Sequence, residues 1–160
     1  MDFKFDFFPV LQVLWQRLDK WMIQFMAHYS VLIMRISLAV VFIWFGLLKV
    51  TGYSPVVDLV AKTVYWFPPK IVIPVLGVWE IIVGYGLLFG VLLRLTLFLF
   101  WIQMAGTFLV LVLLPHVAFQ IGNPFLLTMA GEFVIKNLVL IAAGLVIGST
   151  VRKDKKNGTT

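Results

Sequence analysis

The sequence predicts an all-α integral membrane protein: a four-helix bundle preceded by an N-terminal amphipathic helix lying in the membrane interface. Three observations carry this. Of the 160 residues, 62% are hydrophobic and only 12% charged, with a mean hydropathy of +1.04, whereas soluble domains run at roughly 45–50% apolar. A chain so poor in charge cannot cover a water-facing surface. Four apolar runs of about 20 residues are each long enough to cross a bilayer as a helix. Most basic residues gather near the two chain ends, as membrane orientation requires.

Composition also excludes chemistry. The net charge of +6 follows the chain ends and does not mark a basic face on a folded nucleic-acid-binding module. There is no cysteine. That removes thiol–disulfide exchange, cysteine-ligated iron–sulfur clusters, covalent c-type haem and the dithiol mechanism of small four-helix quinone reductases. No nucleotide-binding glycine loop and no hydrolase triad is present. The start, with Asp2, Lys4 and Asp6 and then Gln12, Gln16, Arg17, Asp19 and Lys20 breaking the apolar stretch, does not read as a secretory signal.

Pro9 to Tyr29 is expected to form the amphipathic helix. Leu11, Leu14, Trp15, Leu18, Trp21, Met22, Phe25 and Met26 recur at spacings of three and four, with polar residues between them. Such a helix lies in the interface or packs on a partner subunit. The first span is expected from Val31 to Val50, with Arg35, Ala39, Phe42, Gly46 and Lys49 on a face that points into the bundle. From Thr51 to Lys70 the chain is too apolar for a free loop. Ser54-Pro55 predicts the start of a short helix carrying Asp58 and Lys62 as an i, i+4 pair, closed by Tyr65-Trp66-Phe67 and Pro68-Pro69.

The second span is expected from Ile71 to Gly90, with Gly77, Glu80 and Gly84 on one face and Gly86 and Gly90 as a GxxxG pair. A tight turn at Val91 to Arg94 leads to the third, Leu95 to Leu114, striped by Thr96, Gln103, Gly106 and Thr107 and ended by Pro115. His116 to Thr128 is a second connection with a turn at Gly122-Asn123-Pro124. The fourth span follows from Met129 to Gly148, with Glu132, Lys136 and Ala143 on one face. The expected organisation is therefore residues 1–29 as amphipathic helix, 30–148 as membrane domain and 149–160 as a basic cytoplasmic tail, disordered at its end.

Four spans put both termini on one side. That side carries Lys4, Arg17, Lys20, Arg35, Arg94, Arg152, Lys153, Lys155 and Lys156, and the other only Lys49, Lys62, Lys70 and Lys136. Both termini are expected in the cytoplasm, with the chain in the inner, cytoplasmic membrane. Depth then brings Lys49, Glu80, Glu132 and Lys136 toward the outer half of the bundle, with Arg35, Arg94 and Gln103 in support. A carboxylate at the depth of Glu80 costs roughly 2.5–3.5 kcal/mol on translocon scales, so it needs a partner. Two acids and two lysines form either a binding site, with a lysine polarising a quinone carbonyl and Glu80 relaying protons, or a salt-bridge network that fixes helix order. Trp79 and Trp101 sit deep enough to contact a quinone or pigment ring, although packing is the ordinary role of such residues. His28 and His116 are expected at opposite surfaces, about 30 Å apart, which excludes a bis-histidine haem and leaves single ligation of haem or pigment, by His116 for example. Two acids without a nearby histidine make a poor transition-metal site.

The spans carry short motifs: Gly46-Leu47-Leu48-Lys49, then Gly77-Val78-Trp79-Glu80 with Gly84, Gly90 and Arg94, then Gly131-Glu132-Phe133-Val134-Ile135-Lys136-Asn137-Leu138. In these the sequence resembles the DoxX-like membrane proteins from about Val31 to Gly148. Its fourth span is similar to the branch holding the inner-membrane protein of the reactive-chlorine resistance operon. The resemblance implies a four-helix membrane bundle associated with redox complexes, since one branch is the small subunit of thiosulfate:quinone oxidoreductase. It carries Arg35, Lys49, Glu80, Arg94 and Lys136 over as motif residues. Three functions are then expected to compete. One is a membrane subunit of a quinone-linked oxidoreductase whose redox centre belongs to a partner. Another is a non-catalytic accessory or scaffold subunit of a respiratory or photosynthetic complex. The last is a small proton-coupled transporter using Glu80.

Overall fold

Pro- and Gly-containing breaks between long apolar runs set the helix boundaries in the computed structural model, which describes residues 7–151, with side chains from Leu11 to Val151. Lys4, and Arg152, Lys153, Lys155 and Lys156 of the expected tail, lie outside the described residues. The helices are α1 (Phe7–Val50), α2 (Val57–Thr63), α3 (Pro69–Phe89), α4 (Leu93–Leu113), α5 (Pro115–Ala118) and α6 (Met129–Thr150). Of these, α1, α3, α4 and α6 are long and apolar enough to cross a membrane. The described residues hold no strand, only one isolated bridge between Phe119 and Leu127. The fold is the all-α membrane bundle that composition demands.

The breaks have local causes. Pro69 opens α3 at a position where a missing N–H costs nothing, and Gly90 closes it at φ 68°. Leu92 takes a left-handed conformation, φ 46°, before α4. Pro115 stops α4 and starts α5. Thr128 caps α6: its hydroxyl accepts from the Gly131 N–H at 3.1 Å and donates to the Val117 carbonyl at 2.5 Å. In the preceding loop, Asn123 accepts from the Phe125 N–H at 2.9 Å, the expected turn.

Three local expectations are corrected. The expected amphipathic helix and first span are one continuous helix, because neither Gly nor Pro interrupts the backbone between Pro9 and Gly46. The short helix α2 starts at Val57, with Ser54 and Pro55 in the turn before it, and no side chain caps it. Asp58 and Lys62 do not pair: the ion pairs among the described residues are Lys49–Glu80 and Lys136–Glu132.

By contacts the chain divides into residues 1–33 and 34–160. In the first unit the side chains from Leu11 to Ser30 are exposed. Trp21 stacks on Phe25 (centroids 5.7 Å) and Phe25 lies 5.0 Å from Tyr29, an aromatic ladder at i, i+4 spacing. In the second unit Leu38, Ala39, Phe42, Val83, Leu87, Phe100 and Ile147 form the buried centre, with Phe42 and Phe100 5.4 Å apart. The large apolar residues facing outward, such as Ile82, Phe98 and Val139, suit a surface solvated by lipid.

Glycines allow the helices to approach. A Cβ on Gly46 would run into the Gly77 carbonyl, and one on Gly77 would run into the Gly46 carbonyl. Thus α1 and α3 touch backbone to backbone. Gly84 fits against Ala39 and Ile43 of α1, and Gly144 of α6 against Phe100 of α4. Gly86 and Gly90 do not act as one GxxxG contact: Gly86 meets Thr96, while Gly90 ends the helix beside the Arg35 guanidinium.

Candidate functional site

The α1–α3 contact places the site. Gly46 precedes Lys49 by three residues and Gly77 precedes Glu80 by three, so each side chain rises about one helical turn beyond its glycine. Lys49 Nζ donates to both Glu80 oxygens, at 2.7 and 2.5 Å. The side chains are only 8% and 10% exposed. Gln103 of α4 completes the cluster, its Nε2 donating to Glu80 Oε1 at 2.7 Å. Lys49 closes α1, and Glu80 sits about 16 Å along α3 from its start, by the 1.5 Å rise per residue.

This cluster forms one wall of a cavity of about 480 Å³. Phe42 and Phe45 of α1, Leu76 and Trp79 of α3, Ile102 and Val110 of α4, and Phe133 and Leu140 of α6 supply its apolar walls. Val56, Leu59, Val60, Thr63 and Val64, on and beside α2, also line it. The short helix is therefore part of the site and not a passive connection. A Cβ added at Gly106 would meet nothing within 4 Å, so this glycine leaves space on the α4 wall.

The four expected charges do not form one cluster. Lys136 and Glu132 pair with each other at 3.3 Å as i, i+4 neighbours on α6, with side chains 75% and 56% exposed. Lys136 lines the cavity; Glu132 does not. The supporting residues separate likewise. Gln103 belongs to the cluster. Arg94 is exposed at the start of α4. Arg35 is half-buried with its guanidinium beside Gly90, and its Nε is buried without a hydrogen-bond partner among the described residues. Trp79 lines the cavity and donates from Nε1 to the Leu99 carbonyl at 3.3 Å. Trp101 does not line it and packs edge-on to Phe100 at 5.4 Å. His116 is exposed and outside the cavity lining. No group of three or more His, Cys, Asp or Glu side chains able to hold a metal occurs among the described residues.

Three polar lining residues were not among the expected site residues, although Thr107 was placed on the polar stripe of the third span and Asn137 in the motif of the fourth. Asn137 is buried and donates from Nδ2 to the Phe133 carbonyl at 3.3 Å. Thr107 and Thr63 donate to the carbonyls of Gln103 and Leu59, at 3.0 and 2.7 Å. Thr107 lies four residues after Gln103, and Asn137 directly follows Lys136 in the α6 motif, so both carried a legible signal. Thr63 had none, since nothing in the sequence shows that α2 roofs a cavity.

A buried acid–base pair in direct contact, with an amide donating to the acid, set in the apolar wall of a cavity between helices, defines a multi-pass membrane protein with an internal polar site. Residues 30–113, slightly more than half of the chain, match the DoxX family, and the chain belongs to that family. The match includes α2, α3, α4 and the part of α1 that carries Lys49, and therefore the whole Lys49–Glu80–Gln103 cluster. No curated protein matches the chain, and no solved structure does.

Proposed function

We propose that the chain is a membrane subunit of a quinone-linked oxidoreductase assembly, seated in the inner membrane with both termini cytoplasmic, in the DoxX branch related to reactive-chlorine resistance and thiosulfate:quinone oxidoreductase. The observation that carries this reading is the buried Lys49–Glu80–Gln103 cluster in the wall of a largely apolar cavity of about 480 Å³. A quinone needs an apolar sleeve for its ring and tail, with a few polar groups at its oxygens. The cavity has that division of labour. Lys49 and Glu80 supply a cation to polarise an oxygen and a carboxylate to exchange protons. Electrons come from a partner that holds the redox centre.

The test uses membranes from the native host, with turnover and assembly measured together. Glu80→Gln keeps the shape of the side chain and removes its charge. It is expected to reduce quinone reduction by at least tenfold while the subunit still assembles. Unchanged turnover at normal assembly overturns the reading. The exposed aromatic ladder Trp21–Phe25–Tyr29 favours a second reading, a scaffold subunit docking through this helix. A stoichiometric complex that survives Glu80→Gln with full activity, and is lost when Trp21 and Phe25 become alanine, supports that instead.

A further inference from the structure

The charges of the bundle are shared unequally between its two ends. Among the described residues from 34 to 151 the acids are Asp58, Glu80 and Glu132. Glu80 and Glu132 hold lysines, and Asp58 sits on α2, the helix beside the cavity. Arg35 precedes Lys49 on α1 by 14 residues, about 21 Å along the axis at the usual rise per residue. Arg94 stands in the first turn of α4, just past the turn that Gly90 begins. Neither arginine has an ion-pair partner among the described residues.

Arg35 is held in place. Its guanidinium packs on Gly90, where a Cβ would lie 3.2 Å from Nη1. The carbonyl end of α3 explains a cation at this position, but not an unanswered donor. Nε is buried without a partner among the described residues, and such a group calls for a cause such as an anion at the site. Nη1 and Nη2 are not sealed in this way and keep accessible surface. Arg94 opposes the α4 dipole, in a first turn that holds no acid and that Leu92 leaves without a side-chain cap. An anion at this turn answers both arginines. The rim says which kind: Tyr85 and Phe89 stack at 6.0 Å on α3, and they, Val91, Leu92 and Leu95 are all exposed. Apolar side chains around a cationic turn suit an anion that brings acyl chains. We propose that the α3–α4 turn binds the phosphate of an anionic membrane phospholipid, with the Arg35 guanidinium as first contact and Arg94 as second. Arginine presents paired donors to phosphate oxygens. In the orientation proposed above, this turn meets the cytoplasmic leaflet, where anionic lipids concentrate. The site lies at the other end of the bundle from the Lys49–Glu80 cavity and does not depend on what that cavity holds.

The experiment uses the full chain in a neutral detergent. Equilibrium binding of phosphatidylglycerol and of phosphatidylcholine with the same acyl chains is read by native mass spectrometry. The chain is expected to bind phosphatidylglycerol at least fivefold tighter. Arg35→Gln and Arg94→Gln are each expected to cut that preference at least threefold. Arg94 is exposed, so its variant decides if Arg35→Gln does not fold. Lys62→Gln, which removes one exposed cation from α2, is expected to leave the preference unchanged. Glycerol phosphate, the headgroup chemistry without chains, is expected not to displace the lipid at equal concentration. Phosphatidylglycerol is expected to raise the unfolding temperature of the native chain but not of Arg35→Gln. Equal binding of the two lipids by the native chain, or a preference that survives either arginine substitution, overturns the proposal. So does an equal loss with Lys62→Gln, which would make the preference a matter of net charge. Displacement by glycerol phosphate would make the ligand a soluble anion. An Arg35→Gln variant destabilised equally in both lipids, with its preference intact, would leave Arg35 only a structural role at the end of α3.

Discussion

Lys49 and Glu80 each carry a cost for entering the bilayer, and each cancels much of the other's. Removing one is therefore far worse than removing both. Lys49→Met alone is expected to destabilise the protein by about 3–5 kcal/mol, because Glu80 is left charged and buried. Lys49→Met combined with Glu80→Met is expected to restore most of that loss. Thermal unfolding in detergent micelles, arranged as a double-mutant cycle, measures both. The same cycle on Glu132 and Lys136 is expected to return only about 0.3–0.5 kcal/mol, as for exposed i, i+4 pairs. The difference explains what sequence could and could not show. Glu80's need for a cation across helices was legible, because it is the lone charge of its span, but sequence offered Lys49 and Lys136 alike as the partner. Glu132 and Lys136 satisfy each other within one turn and need no third group. Depth along a helix can be counted from sequence, but rotation about its axis depends on packing, and that rotation turns Glu132 away from the cavity.

At the scale of elements, the Gly46–Gly77 contact fixes how near α1 comes to α3. Gly46→Ala forces a methyl against the Gly77 carbonyl and the Ile81 side chain. It is expected to cost about 1–3 kcal/mol by overpacking, and to weaken the Lys49–Glu80 coupling in the same cycle. Unaltered coupling would show that the ion pair does not depend on close helix approach. Loss of the Thr128 cap by Thr128→Ala is expected to cost about 1 kcal/mol in the same unfolding assay. Glycine spacing, proline stops and apolar runs made the helices readable almost to their ends. The junction near Tyr29 and Ser30 was misread for a physical reason. Composition changes there from amphipathic to apolar, but a composition change does not break a backbone, and no Gly or Pro is present to do so.

For the whole molecule, the absence of native cysteine makes sidedness directly measurable. Phe125, 91% exposed in the loop before α6, and Ser149, near the end of α6, are suitable single-cysteine sites. For the proposed orientation, with both termini cytoplasmic, Phe125→Cys is expected to react with a membrane-impermeant maleimide added to spheroplasts. Ser149→Cys is expected to react only after permeabilisation; the reverse pattern inverts the orientation. The membrane class and the bundle were legible from hydropathy alone. The cavity was not, since it depends on α2 folding over the bundle, and no residue of α2 announces its partner. The Lys49–Glu80 pairing has one more consequence. A transmembrane voltage acts on an isolated charge with about 2.3 kcal/mol per 100 mV, but on two opposite charges in contact it exerts almost no net force. While both partners stay ionised, the pair is electrically silent.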